Sequence, residues 1–197
     1  MSGNIFVTGG NVVDNEDAKG GFSTVYTTEQ YALGTKRTQS PDEVAATGSG
    51  VSTSTTLTAA QKLMLAGERT WVFIKSTGTI NAGDLVKRTA DTDAYAGEQD
   101  DSNEGTKYDM LGVADHAIAS GSYGWVICKG PAVVQAQADV AAGERLSSDG
   151  NTTAGEVDTW TDGAGNSENI VGIALETESA TATFGAGYVI ARIDVPS

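Results

Sequence analysis

At 197 residues, with 25 Gly, 3 Pro and a single cysteine, the chain is long enough to bury a core and holds no internal disulfide framework. Its formal net charge of −14 repels nucleic-acid phosphates and anionic bilayers, which argues against both as partners and favours solubility at high concentration. No run approaches the roughly 20 apolar residues of a membrane helix. Residues 1–4 lack a basic and an apolar leader region, so synthesis in a reducing cytoplasm without a secretory signal is expected. The charge is uneven: residues 136–197 hold ten Asp or Glu against Arg145 and Arg192, a net of 2 − 10 = −8.

Residues 1–56 do not have the pattern of a domain. Ile5-Phe6-Val7 and Val12-Val13 are short apolar runs separated by Thr8-Gly9-Gly10-Asn11. Phe22 to Thr27 alternates as a strand, with Phe22, Thr24 and Tyr26 on one face and Ser23 and Val25 on the other. Thr35 to Pro41 follows, then the Ser/Thr/Gly-rich stretch 47–56, flexible by composition. A solvated tail has little use for Phe6, Val12, Phe22 and Tyr26, so the expectation is an extended N-terminal arm that orders against a partner.

Thr58-Ala59-Ala60-Gln61 has the spacing of a capping box, and Lys62 to Ala66 continues one short helix that Gly67 can stop. Arg69 to Ser76 reads as a strand that is apolar on both faces at its middle. Ile80 to Asp84 is a turn feeding a strand at Leu85-Val86, and 91–107 is an acidic excursion. Strands are expected at Met110–Ala114 and Trp125–Lys129. Gly130-Pro131 is expected to break the run before a further strand at Val133–Gln137. The remainder follows the same plan: a turn at 140–144, a strand near Leu146, a polar loop at 149–168, and strands at 170–175 and 188–194.

That second pass is a repeat. Ile80–Asp84 answers to Val140–Glu144, and Leu111–Ala114 to Val171–Ala174, both at an offset of 60. Gly124-Trp125-Val126-Ile127 answers to Gly187-Tyr188-Val189-Ile190 at an offset of 63. Three blocks in the same order mark an internal duplication. The fold expected is mainly β: a small β-barrel or β-sandwich built from two repeats, with one short helix and an extended N-terminal arm. The arm and linker occupy 1–56, and the body 57–197 divides into repeats at about 68–135 and 136–197. The duplicated strands are apolar on both faces, so each lies between two apolar layers. Trp71, Trp125, Ile127, Tyr188 and Ile190 are therefore candidates for either the core or a subunit interface, core packing being the commoner explanation.

Little chemistry can be assembled. His116 is the only histidine and Cys128 the only cysteine, the latter in mid-strand where it behaves as a small buried group. No phosphate-cradling Gly motif stands between a strand and a helix. Asp91, Asp93, Asp100, Asp101 and Glu104 offer oxygens of the kind calcium takes, but without the Gly-containing calcium loop, and a solvated excursion is the default. Asp84 and Glu144 are expected to shape turns. No catalytic set, cofactor or metal site is expected.

The blocks Ile80–Asp84 with Val140–Glu144, Leu111–Ala114 with Val171–Ala174, and Tyr123–Ala132 resemble the capsid decoration (cement) proteins of tailed bacteriophages, over roughly residues 68–195. The resemblance implies a non-enzymatic virion protein, made in the host cytoplasm, that adds to the outer surface of an assembled capsid. Its partners would be the major capsid protein and itself, as a homotrimer that clamps neighbouring capsid subunits. The arm would then supply capsid contacts through Ile5, Phe6, Val12, Val13, Phe22, Val25 and Tyr26. Two alternatives fit the same composition. One is a phage tail, baseplate or fibre component. The other is a carbohydrate-binding β-module, for which Trp160 in its polar loop is the best-placed stacking platform.

Overall fold

A computed structural model describes residues 6–8, 11–13, 22–40, 67–89, 93–102, 106–148, 153–161, 169–179, 182 and 184–196. The architecture is all β. β1 (Phe6–Thr8) and β2 (Asn11–Val13) form a separate antiparallel hairpin with Phe6 opposite Val13. The other ten strands form one sheet that curls twice. In the first ring, β4 (Arg69–Ser76), β5 (Leu85–Arg88), β6 (Ala96–Gln99), β7 (Met110–Val113) and β8 (Tyr123–Gln135) pair in the order β8-β7-β5-β6-β4, and the β4–β8 pairing closes the barrel.

The second ring reuses β8. Its distal half pairs with β12 (Tyr188–Asp194), followed by β11 (Gly172–Ala174), β9 (Arg145–Ser148) and β10 (Val157–Thr159). A parallel bridge from Ala136 to Val157 closes it, with the Gln137 amide donating to the Val157 carbonyl at 2.9 Å. The first ring is closed by the same device: β4 runs parallel to β6, Ser76 lies opposite Gly97, and the Thr77 amide donates to the Gly97 carbonyl at 2.9 Å. A single extended strand thus belongs to two small barrels.

The duplication holds register by register. Val86↔Gln99 becomes Leu146↔Thr159, an offset of 60 on both strands. Phe73↔Trp125 becomes Val133↔Ile190, an offset of 60 for the first partner and 65 for the second. The final strand is therefore displaced by two positions from the sequence alignment that matched Trp125 with Tyr188. Pairing to the neighbouring strands, not the Gly-aromatic motif, sets the equivalence.

Three further expectations are corrected. Gly130-Pro131 does not break β8. Gly130 has φ +107°, and an added Cβ would collide with the Glu68 carbonyl. Proline keeps an extended φ and merely removes a donor, while its carbonyl accepts from Arg69 Nε at 2.7 Å. The repeat boundary therefore falls inside β8. Second, the acidic excursion contains β6 and the polar loop contains β10, the same missed strand in each repeat. Third, the free arm does not run to residue 56. Residues 22–40 lie on the body, and β3 (Lys36–Gln39) pairs antiparallel with β4. Tyr26 and Tyr123 exchange backbone hydrogen bonds at 2.9 and 2.8 Å. The helix expected over 58–66 lies outside the described residues; among those described there is no α-helix.

Candidate interaction surface

Each barrel begins with the same turn, and both turn carboxylates do what their spacing suggested. Asp84 Oδ2 accepts from the Asn81 amide at 2.6 Å, and Glu144 Oε2 accepts from the Ala141 amide at 2.7 Å. Gly83 and Gly143 have φ of +92° and +91°, a backbone region glycine enters without steric cost. Their amides donate to Ala114 and Ala174. The glycine of the second motif block serves a different purpose. A Cβ on Gly112 would lie 2.5 Å from the Ile127 carbonyl oxygen, and one on Gly172 would lie 2.6 Å from that of Arg192. The adjacent strand passes too close for any side chain. These two contacts independently match Ile127 with Arg192.

The surroundings of the two turns differ. The second barrel packs against the first turn: the Leu85 amide donates to the Gly155 carbonyl at 2.9 Å, and Gln99 Nε2 donates to the Ala154 carbonyl at 2.8 Å. Burial there pushes the Asp84 carboxyl up from 3.8 to about 6. Nothing among the described residues lies within 4 Å of a Cβ built on Gly143. Glu144 is held below the usual carboxylate range, chiefly by the Ala141 amide and then by the Thr159 hydroxyl.

The largest difference lies along one row of cross-strand neighbours. In the first barrel Leu85 faces Val113, which faces Ile127, and all three are fully buried. The same row in the second barrel reads Arg145, Ile173, Arg192. Both arginines are exposed, and Ile173 is 45% exposed against 0% for Val113. The Arg145 guanidinium lies over the Trp160 ring, 5.6 Å from its centroid. Neither arginine has an ion-pair partner among the described residues. The only two cations of residues 136–197 therefore flank an exposed aliphatic side chain.

The first barrel's counterpart face is covered by the chain itself. Phe22 stacks on Trp71 with ring centroids 4.7 Å apart, and Tyr31 packs on Trp125 and Phe73 at 5.1 and 5.2 Å. Trp71 Nε1 donates to Gln39 Oε1 at 3.0 Å. Trp71, Trp125 and Ile127 are accordingly core residues. Ile190 is buried in a separate small cluster with Val133, against which the half-buried Tyr188, Leu175 and Phe184 pack. Of the proposed arm contacts, Phe22 and Tyr26 pack on the body's own core, Val25 is 38% exposed, Phe6, Val12 and Val13 stand in the β1–β2 hairpin, and Ile5 lies outside the described residues.

The reactive side chains are placed as follows. His116 is buried with neither ring nitrogen hydrogen-bonded to a described residue, and burial lowers its pKa from 6.5 to about 4, so it is neutral at pH 7. Cys128 is buried with Sγ donating to the Thr70 carbonyl at 3.3 Å. The acidic set is dispersed. Asp100 is buried and accepts from the Ser102 amide and hydroxyl, Asp101 pairs with Lys87, and Asp91 and Glu104 lie outside the described residues. Among the described residues no group of three or more His, Cys, Asp or Glu converges to hold a metal.

The Arg-Ile-Arg row escaped the sequence reading for a definable reason. At an offset of 60 the change from Leu85 to Arg145 is visible in the sequence. Arg192, however, was aligned with Lys129 and looked like a retained basic residue rather than a replacement for Ile127.

No protein-family profile and no curated protein matches this chain. Among solved structures, the chain is similar to the N base of the head fiber gp8.5 of bacteriophage phi29. The match has 16% identity and a TM-score of 0.44, and covers 64% of this chain and 97% of the other.

Proposed function

We propose that this chain is a structural, non-enzymatic protein of a tailed-phage particle, one that binds the outer surface of the capsid and stabilises contacts between major capsid subunits, acting as a homotrimer. The observation that carries the reading is the division of labour between duplicated barrels. One is sealed by residues 22–40 of the same chain, and the other keeps an exposed Arg145–Ile173–Arg192 row. A duplicated module with one finished face and one open face is suited to joining surfaces. The resemblance of the Gly-containing blocks to decoration proteins supplies the capsid as the surface.

The β1–β2 hairpin is the second element of the reading. A two-stranded hairpin is marginal alone in water, and this one is not paired to the ten-stranded sheet. Ile5, Phe6 and Val12 would find their apolar partners on the shell. Because Phe22 and Tyr26 are packed into the body, the informative truncation stops before them. Deleting residues 2–12 should leave a folded body that no longer decorates purified shells, measured by co-sedimentation and gel densitometry against the major capsid band. Undiminished decoration by that truncation overturns the hairpin as the shell contact, and a full-length chain that decorates no shell overturns the reading.

A further inference from the structure

We propose that the Arg145–Ile173–Arg192 row is a docking strip for the acidic N-terminal segment Val13–Asp17 of a neighbouring copy of this chain. The inference deepens the oligomeric part of the reading above and rests on it.

The duplication identifies the kind of occupant. The face that contains Trp71, Trp125, Ile127, Val113 and Leu85 in the first barrel is covered in part by residues 22–40, which lead directly out of the N-terminal region. The corresponding face of the second barrel has its own small cover over Val133 and Ile190 but leaves Ile173 45% exposed. Replacing Leu85 and Ile127 by arginines converts an apolar face into one that suits a segment with an aliphatic residue and carboxylates. Val13-Asp14-Asn15-Glu16-Asp17 has that chemistry.

Charge selects this segment and opposes generic association. At a net −14 two copies repel one another, so a copy-to-copy contact forms where an acidic stretch meets exposed cations. Arg145 and Arg192 are the only cations of residues 136–197, and neither has a carboxylate partner among the described residues. Guanidiniums hold carboxylates with paired, charge-assisted hydrogen bonds. Two strand spacings place the Cα atoms of Arg145 and Arg192 about 10 Å apart, which lets Asp14 and Asp17 each meet one of them. The tether between the seated segment and the docked Phe22 is residues 18–21, which span up to about 14 Å when extended, so the neighbour's strip must lie within that distance of Phe22. With Val13–Asp17 seated on a neighbour, the preceding hairpin projects from the strip toward whatever surface the oligomer meets.

The test is a charge exchange read by sedimentation velocity on the full chain. The wild type should form a closed oligomer. Arg145→Glu with Arg192→Glu should weaken association at least tenfold, and so should Asp14→Lys with Glu16→Lys and Asp17→Lys. Both variants should keep the wild-type circular dichroism spectrum; Arg145 and Arg192 are exposed and make no part of the core. A chain carrying both sets of reversals should regain association. A wild type that is monomeric at about 100 μM overturns the proposal. So does an oligomer indifferent to either set, or a combined chain that fails to recover. Shell binding is scored separately: an oligomer that responds to the reversals yet decorates no capsid supports the strip and overturns the decoration reading.

Discussion

The two barrels share a backbone plan and differ in how each is finished. The first has aromatic residues where the second has aliphatic ones, Phe73 and Trp125 against Val133 and Ile190. It recruits Phe22, Tyr26 and Tyr31 as a cover for them. Its turn is also buried beneath the second barrel, whereas the second barrel's turn is open. The difference teaches that the motif blocks encode the barrel itself, while the residues between them encode what the barrel touches. Gly112 and Gly172, demanded by an identical strand approach, stayed glycine. Leu85 and Ile127, fully buried in the first barrel, correspond to the exposed Arg145 and Arg192 of the second.

The largest effect expected is one the barrels share. Gly112→Ala and Gly172→Ala each force a methyl against a neighbouring carbonyl oxygen, and each should cost about 3 kcal/mol or more, by comparison with overpacked cores. Urea titration checks this, and a large disparity between the two would break the claim that the barrels are built alike.

Removing the cover should be smaller and confined to one barrel. Phe22→Ala deletes a ring stacked on Trp71 and should cost about 2 kcal/mol, less than a fully buried phenylalanine because Phe22 is only half-buried. Phe184→Ala, in the small cluster of the second barrel, should cost less, and hydrogen exchange should show the loosening near Val133 and not near Trp125.

Acid titration separates the two turns. Asp84 has its pKa raised, from 3.8 to about 6, so its buried charge destabilises the protein above pH 6, and that penalty is relieved as pH falls from 6 toward 4. His116 has its pKa lowered, from 6.5 to about 4, so stability is intact above pH 6.5 and is lost as pH falls toward 4. Each is worth roughly 3 kcal/mol across its window, with opposite slopes, so the wild type should vary little between pH 4.5 and 6. Asp84→Asn removes its share of the opposing slope, leaving that of the buried Asp100, whose pKa is also raised by burial, and should make stability fall more steeply on acidification than in the wild type, in denaturant titrations at several pH values. Glu144→Gln, at the equivalent open turn with its pKa lowered, should leave the slope between pH 4.5 and 6 nearly unchanged.

The smallest contrast is between the turn glycines. Gly143→Ala should cost about 1 kcal/mol, the penalty of a left-handed φ alone. At Gly83 the added methyl would also sit 2.9 Å from the Tyr188 ring, so Gly83→Ala should cost about 1 kcal/mol more. Equal losses would mean that the second barrel does not press on the first turn.

Much of this was legible beforehand. The duplication, the turns at Asp84 and Glu144 and the β class follow from glycine spacing and alternating apolar residues. β6 and β10 were missed because Ala96-Gly97-Glu98-Gln99 and Val157-Asp158-Thr159 have no apolar alternation; they are strands because β5 and β9 hold one edge while Ser76 and Ala136 hold the other. The docking of Phe22 and Tyr26 on their own chain was also hidden, since the same aromatics serve equally well on a partner. Only the presence of Trp71 and Trp125 on the facing strands decides it. The Arg145–Ile173–Arg192 row needed the true register, which shifts β12 by two residues from its sequence alignment.

The central claim is that the first barrel is sealed from within the chain and the second only on assembly. Hydroxyl-radical footprinting of free and assembled protein tests it directly. Assembly should protect Ile173 and Trp160 while leaving the already protected Trp71 and Trp125 unchanged. Unaltered oxidation of Ile173 and Trp160 in the assembled particle, with new protection confined to the first barrel, would contradict the account.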